Sequence, residues 1–302
     1  MNTSGSVIKA SVVMGTLNQK AILEKVLPFY EDQSCSCDWF EVIIVDSSSS
    51  DGSKNFLQVY QPNFLFKYHI QANKGKAAAR NKAVDLSQGD IIIITDADMI
   101  PDHYFVQRHI EAHASINKAA CFEGLAWNMT SLAWPPISQN LAPQVGKNHD
   151  HMNKLGWYYF LTGNISLPRL VFDQFLGFNE RFTGYGWEDL ELGYRLFKQK
   201  IPLYYLTTAI NYHYHIINPS EELQRNVKKG ESAKLFLELH PELKWFLGFN
   251  PLSTWIFPKI SEQSMVFKWF KAMSNHSKSA WIRAIGMWFL KEFFYLKGAL
   301  KF

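Results

Sequence analysis

Three cysteines in 302 residues, Cys35, Cys37 and Cys121, cannot staple a disulfide framework, and a lone Cys-x-Cys lacks the other ligands of a zinc site. A reducing cytoplasm is the expected setting. Long apolar runs are missing as well: no stretch approaches the roughly 18 residues of a membrane span, and the polar opening MNTSGSVIKASVVMG does not resemble a secretory signal. The chain is expected to be soluble or surface-bound. A formal charge of only +4, with no basic stripe in the body of the chain, argues against nucleic acid as a partner. The Gly-x4-Gly-Lys-Ser/Thr loop is absent, and VVMGTLNQ lacks the glycine fingerprint of a dinucleotide-dependent oxidoreductase.

What is present is a rhythm. Short apolar runs at Val7–Met14, Trp39–Val45, Phe64–Ile70 and Asp90–Thr95 alternate with helical patterns near 19–31, 52–60, 76–87 and 102–117. That order predicts βαβ units and an α/β fold with a largely parallel sheet, DIIIITDAD being apolar throughout as a buried central strand should be. Ligands of such sheets gather at the carboxyl ends of the strands. Further on, a loop or lid is expected around 130–155, a strand in WYYFLTGNISLP, a charged helix from Trp187 to Lys200, strands in 202–214, and a helix from Glu221 to about His240.

Several polar residues sit where such a fold offers its ligands. Asp96 and Asp98 follow a buried strand; if the extension persists, period-2 geometry aims both carboxylates to one side, where they could grip a divalent cation and, through it, a diphosphate. Asp46 ends another strand in VIIVDSSSSDGS, either as an acceptor for a base or ribose or as a cap of the following helix, for which Ser50, Asp51 or Ser53 would serve equally well. Lys74, Lys76 and Arg80 in NKGKAAARNKAV either neutralise phosphate or are solvated helix residues. His213 and His215 share a strand face, as structural histidines or as metal ligands. In GFNERFTGYGWEDLELGYRLFKQ a glycine-rich aromatic loop turns into a helix at Glu188 and Asp189. Acidic residues favour a helix N-terminus, and a carboxylate held there could also take a proton from a substrate.

Taken in order, these motifs resemble a family 2 glycosyltransferase of the GT-A type over roughly residues 8–240. The resemblance implies a Rossmann-like, nucleotide-sugar-binding mixed sheet flanked by helices, with residues 1–240 as catalytic domain and 241–302 as a helical extension. SVVMGTLNQ is similar to the first strand and nucleotide-contacting loop, which implicates Thr16 and Asn18. VIIVDSSSSDGS resembles the uracil-contacting segment of Asp46, GKAAARNKAV the donor-facing helix of Lys76 and Arg80, and ITDADM the metal-binding Asp-x-Asp. GYGWEDLELGYRLF is similar to the Glu-Asp segment of bacterial chondroitin polymerases and of the β-1,4-galactosyltransferase superfamily. That likeness implies Asp189 as catalytic base, with Trp187 and Gly186 at the acceptor and Glu188 as acceptor binder or structural support; one helical face away, Arg195 is a candidate partner of Asp189. It also sets His213 on the metal-ligand histidine beside Asp98, with Asp96 assisting and His215 a two-residue slip away. The implied cofactor is Mn²⁺ or Mg²⁺, the donor a UDP-sugar, and the acceptor a carbohydrate, lipid-linked saccharide or peptide hydroxyl.

The chain departs from those relatives in having Trp187 directly before Glu188, and in lacking the Gln-x-x-Arg-Trp motif of processive synthases, so single addition is expected. A metal-dependent nucleotide-sugar hydrolase and a non-catalytic carbohydrate-binding relative are the alternatives. From Ser264 onward seven Lys/Arg face one acidic residue, Glu292, among clustered aromatics. Such basic amphipathic helices either meet the inner face of an anionic membrane or pack on the catalytic domain or a second copy.

Overall fold

A computed structural model describes residues 8–145, 149–216 and 218–302. Strands run Ala10–Thr16 (β1), Phe40–Asp46 (β2), Leu65–Ile70 (β3), Ile91–Ile94 (β4), Met99–Pro101 (β5), Cys121–Met129 (β6), Leu141–Pro143 (β7), Lys154–Leu155 (β8), Ile165–Pro168 (β9) and Leu203–His213 (β10). Helices run Lys20–Val26 (α1), Pro28–Glu31 (α2), Ser53–Val59 (α3), Lys76–Leu86 (α4), Phe105–Ala114 (α5), Arg169–Gln174 (α6), Glu188–Lys198 (α7), Pro219–Leu239 (α8), Pro251–Ile256 (α9), Met265–His276 (α10) and Ala280–Leu300 (α11).

The strands form one mixed sheet in the order β3-β2-β1-β4-β9-β6-β10-β5, with β7 on β6 and β8 on β10. The first four are parallel, β9 is antiparallel to β4 and to β6, and β10 is parallel to β6. The carboxyl ends of β1, β2, β4, β6 and β10 therefore share one edge, which is where Thr16, Asp46, the Asp-x-Asp segment and His213 lie. Alternation along the strands divides the core between the two faces. Val13, Ile43, Ile92 and Ile94 pack with Ala77, Ala79, Val171 and Leu192 on one side; Val12, Ile44 and Ile93 pack with Leu23, Leu57 and Phe105 on the other. Each such burial stabilises by about 1.5–3 kcal/mol relative to exposure.

Local chemistry moves several expected boundaries. The helical pattern near 19–31 divides at Pro28, which has no N–H to continue a helix and instead opens α2. Of WYYFLTGNISLP only Ile165–Pro168 is strand, Trp157–Tyr159 being a 3-10 turn. The 130–155 segment holds β7 and β8, and its residues 146–148, like Val7 of the first expected strand, lie outside the described residues.

The chain forms two compact units. The first comprises 1–183 and 188–216 and contains the sheet; the second comprises 184–187 and 217–302 and contains α8 to α11. The second unit thus takes in α8, which the reading from sequence assigned to the catalytic segment. Within it α11 packs along α8 and α10. A side chain at Gly286 would meet the α10 backbone at 2.5 Å, so the two helices touch backbone to backbone there. Among the described residues no helix is long and apolar enough to cross a membrane.

Candidate active site

The site is organised by α4. Its N-cap, Gly75, has φ 92°, and a Cβ there would fall 2.9 Å from Thr183 Cα, so only glycine lets the 178–183 loop lie against the helix start. Asn81 fixes the same loop by donating from Nδ2 to Phe178 O at 2.8 Å and accepting the Phe178 N–H at 2.9 Å. Between these anchors Arg80 points inward, almost fully buried. Its Nη2 meets Asp96 Oδ1 at 2.7 Å and its Nη1 meets Glu188 Oε1 at 2.9 Å. One guanidinium thereby joins the Asp-x-Asp turn to the Glu-Asp helix, segments far apart in sequence. Burial works against the charge on Arg80, and Asp96 and Glu188 outweigh it.

Asp96 and Asp98 do not extend β4. A turn closes with Met99 N–H donating to Asp96 O at 3.1 Å, so the two carboxylates diverge, contrary to the period-2 expectation. Asp96 turns to the cations, Lys76 Nζ standing 3.4 Å from Oδ1. Burial alone would raise its pKa; Lys76 and Arg80 outweigh that and hold it well below the usual carboxylate range. Asp98 turns to β10, its Oδ2 3.3 Å from His213 Nε2. His213 Nδ1 lies 3.2 Å from Asn128 Oδ1, an oxygen that already accepts from Gln144 Nε2 at 3.2 Å. With Nδ1 turned to Asn128, Nε2 is the ring atom that faces the Asp98 carboxylate. Asp98 Oδ1 is buried with no hydrogen-bond partner among the described residues. A divalent cation would satisfy both atoms, so these residues fit one, with Asn128 orienting the imidazole. They make two protein ligands only: among the described residues no three His, Cys, Asp or Glu side chains gather into a metal cluster. His215 lies near His213, ring centroids 5.8 Å apart and planes tilted by 36°.

At the other end of the sheet edge, Thr16 and Asn18 leave β1. Asn18 adopts φ 53°, donates its N–H to Ser49 Oγ at 2.7 Å and accepts the Ser50 N–H at 2.8 Å, locking the two loops together. Asp46 is buried and accepts the Ser49 N–H at 3.1 Å and its hydroxyl. Asp46 therefore closes the loop after β2 and does not cap α3. Asp51 accepts the Ser53 N–H at the start of α3 and the Lys20 N–H at the start of α1.

The Glu-Asp segment is placed by its own first turn. Glu188, Asp189 and Glu191 occupy the positive end of α7. Glu188 is buried, one oxygen on Arg80 and Oε2 with no hydrogen-bond partner among the described residues. Asp189 is half-buried and close enough to Arg80 and Glu123 for its charge to act on both. Arg195, expected as a partner of Asp189, instead pairs with Glu191 at 2.8 Å and binds the carbonyls of Phe175 and Gly177, bracing the loop ahead of the helix. Trp187, expected at the acceptor, is a core residue of the second unit: it packs among Phe236, Phe246 and Tyr295 and donates its indole N–H to Lys229 O at 2.9 Å. Its φ of 76° and the 82° of Gly186 mark a sharp reversal just before α7.

Glu123, inside β6, was not among the expected site residues. It is fully buried, accepts the Leu161 N–H at 3.0 Å through Oε2 and leaves Oε1 without a hydrogen-bond partner among the described residues. Burial pushes its pKa well above the ordinary range, the Leu161 N–H opposes, and the charge of Asp189 adds to the rise. The signal was a carboxylate inside the apolar strand CFEGLAW. A carboxyl held neutral in the fold costs stability as pH climbs from its ordinary 4.5 toward the raised value, at up to about 1.4 kcal/mol per pH unit. Glu123→Gln should therefore melt higher than wild type at pH 8 and equally at pH 4, measured by calorimetry; equal melting at both would mean that Glu123 is ionised.

The order of the mixed sheet and the polar groups at its carboxyl edge define a GT-A fold. The likeness extends to TarS residues 1–349 of S. aureus in complex with UDP (TM-score 0.58, 15% identity, 97% of this chain and 90% of that one). It extends also to the mannosyltransferase PcManGT of Pyrobaculum calidifontis in complex with GDP-Man and Mn²⁺ (TM-score 0.62, 15% identity, 97% and 86%). The glycosyl transferase family 2 model matches residues 11–176, and the chain belongs to that family. A second model, the N-terminal domain of galactosyltransferase, matches 145–218, which spans the Glu-Asp helix and β10. Among curated relatives, validoxylamine A glucosyltransferase of Streptomyces hygroscopicus subsp. jinggangensis is 29% identical over 64% of this chain and 52% of its own length. Chondroitin synthase of Pasteurella multocida is 24% identical over 78% of this chain and 28% of its own. The chain spans about half the length of the first of these.

Proposed function

We propose that this chain is an inverting, metal-dependent glycosyltransferase, moving a hexose or N-acetylhexosamine from a UDP-sugar to a hydroxyl of a glycan, lipid-linked saccharide or peptide. The observation that carries the reading is the buried Arg80, shared by Asp96 and Glu188, which draws the carboxylates of two distant motifs into one constellation with Asp189 beside it. Structural relatives solved with UDP, with UDP-GlcNAc, and with GDP-Man and Mn²⁺ support the donor class.

In this scheme Thr16, Asn18 and Asp46 border the base and ribose, while Lys76 and Arg80 face the diphosphate from α4. Asp98 and His213 would hold a divalent cation, which when bound would stabilise the charge developing on the departing diphosphate. Asp189 takes the proton of the acceptor hydroxyl as its oxygen bonds to the anomeric carbon, and a single displacement inverts that centre. Glu188, pinned on one oxygen, has the other to receive an acceptor hydroxyl.

Imidazole beside carboxylate favours Mn²⁺ over Mg²⁺, nitrogen suiting the softer ion. Calorimetry should show UDP binding that depends on Mn²⁺, with Asp98→Ala removing the dependence and His213→Ala weakening it. UDP binding that is equally tight in excess chelator would rule out this ligand set.

A further inference from the structure

The C-terminal helices sort their aromatic residues by type. On α10, Phe267, Phe270 and Ser274 form the stripe turned to α11, and on α11 the stripe of Gly286, Phe289 and Phe293 answers it. Phe270 stacks on Phe289 with centroids 3.9 Å apart, and Phe267 meets Phe293 at 4.9 Å. The opposite stripe of α10 carries Met265, Trp269 and Ala272 at i, i+4, i+7, and that of α11 carries Trp281, Ala284 and Trp288 at i, i+3, i+7. Met265 is 87% exposed, Trp269 61%, Trp281 73% and Trp288 62%. Trp255, on α9, is also exposed, with Lys259 Nζ 3.2 Å from its ring centre. An ordinary surface helix puts charge on this side; here the largest apolar side chains face water while phenylalanine fills the interior.

Charge decides what should cover them. Between Trp245 and Trp288 stand Lys259, Lys268, Lys271, Lys278 and Arg283 against a single acidic residue, Glu262, and Glu262 is neutralised by Lys297. Tryptophan is the side chain that favours a membrane–water boundary, where the ring is buried and the indole N–H stays wet. Lysine stems can lie along the same surface with their ammonium groups among anionic headgroups. A second copy of this chain would set like charge against like.

From this sorting we infer that the outer face of α9 to α11 is an interfacial membrane-docking surface, selective for anionic lipid, with Trp269, Trp281 and Trp288 as its anchors and Lys268, Lys271 and Arg283 as its electrostatic contacts. The inference is independent of the transferase reading, resting on the second unit alone.

Flotation of the full chain with phosphatidylglycerol-rich vesicles, against pure phosphatidylcholine vesicles, tests it. Wild type should partition at least tenfold more onto the anionic vesicles, and high salt should abolish the preference. Lys268→Gln with Lys271→Gln should cost about fivefold per lysine. Trp269→Ser with Trp281→Ser and Trp288→Ser should abolish binding with little change in melting temperature, since all three rings are mostly exposed and Trp269 meets the Phe stripe edge-on at Phe270, centroids 4.9 Å apart. Wild type that stays unbound on both vesicles overturns the inference, as does a concentration-dependent dimer, seen by light scattering, that the tryptophan variant loses while lipid binding is nil.

Discussion

Asp189→Asn is expected to keep donor affinity and lose turnover by about 10²-fold or more, the scale of general-base catalysis. Neighbours in a helix diverge by about 100° around its axis, so Glu188 and Asp189 cannot do the same work. Glu188 spends one oxygen on Arg80 and is buried; Asp189 is the half-buried member of the pair. Asparagine copies the shape of aspartate without its proton affinity. Glu188→Gln should instead raise the acceptor KM, because it alters an acceptor contact while leaving the base in place. Near wild-type turnover in Asp189→Asn beside a dead Glu188→Gln would reverse the assignments, and full activity in both would put the base elsewhere.

The second large effect belongs to Arg80. Arg80→Met leaves Glu188 buried without its cation, a loss expected to cost about 3–5 kcal/mol of stability and to release Asp96 from one of its two partners. Arg80→Lys should recover little, since a point charge cannot reach both carboxylates as the guanidinium fork does. Adding Glu188→Gln to Arg80→Met removes the stranded charge, so the double variant should regain stability in chemical denaturation without regaining activity. If Arg80→Met unfolds at the wild-type denaturant midpoint, the buried bridge is not what joins the two motifs.

Much of the fold was legible because its signals are local. The apolar run of β4, the alternation across β1 and β2, and the glycine-opened helix of Lys76 and Arg80 each declare themselves within about ten residues. The order of the motifs likewise brought Asp96, Asp98, Asp189 and His213 into view. What stayed hidden depends on tertiary partners. Nothing in ITDADM shows that Asp98 will turn away from Asp96 toward His213, because a turn and an extension share that sequence. Nothing near Arg195 shows that it will reach back to the carbonyls of residues 175 and 177 rather than to Asp189. Trp187 read as a ligand-facing aromatic because it stands beside two carboxylates, yet a left-handed backbone turns it into a core formed by residues of α8 and beyond. Glu123 was masked by an apolar strand that makes a lone carboxylate look incidental.

The claim that one Arg80-centred constellation transfers sugar from a nucleotide diphosphate is met most directly by measuring UDP release from a panel of UDP-sugars in Mn²⁺. Wild type, Asp98→Ala and Asp189→Asn would be followed side by side, with and without saccharide acceptors. Wild type should consume at least one donor, faster with an acceptor than without. Asp98→Ala and excess chelator should both stop it, and Asp189→Asn should bind that donor without turning it over. Turnover that persists in chelator and in Asp189→Asn, or release of free sugar that no acceptor accelerates, would contradict the claim.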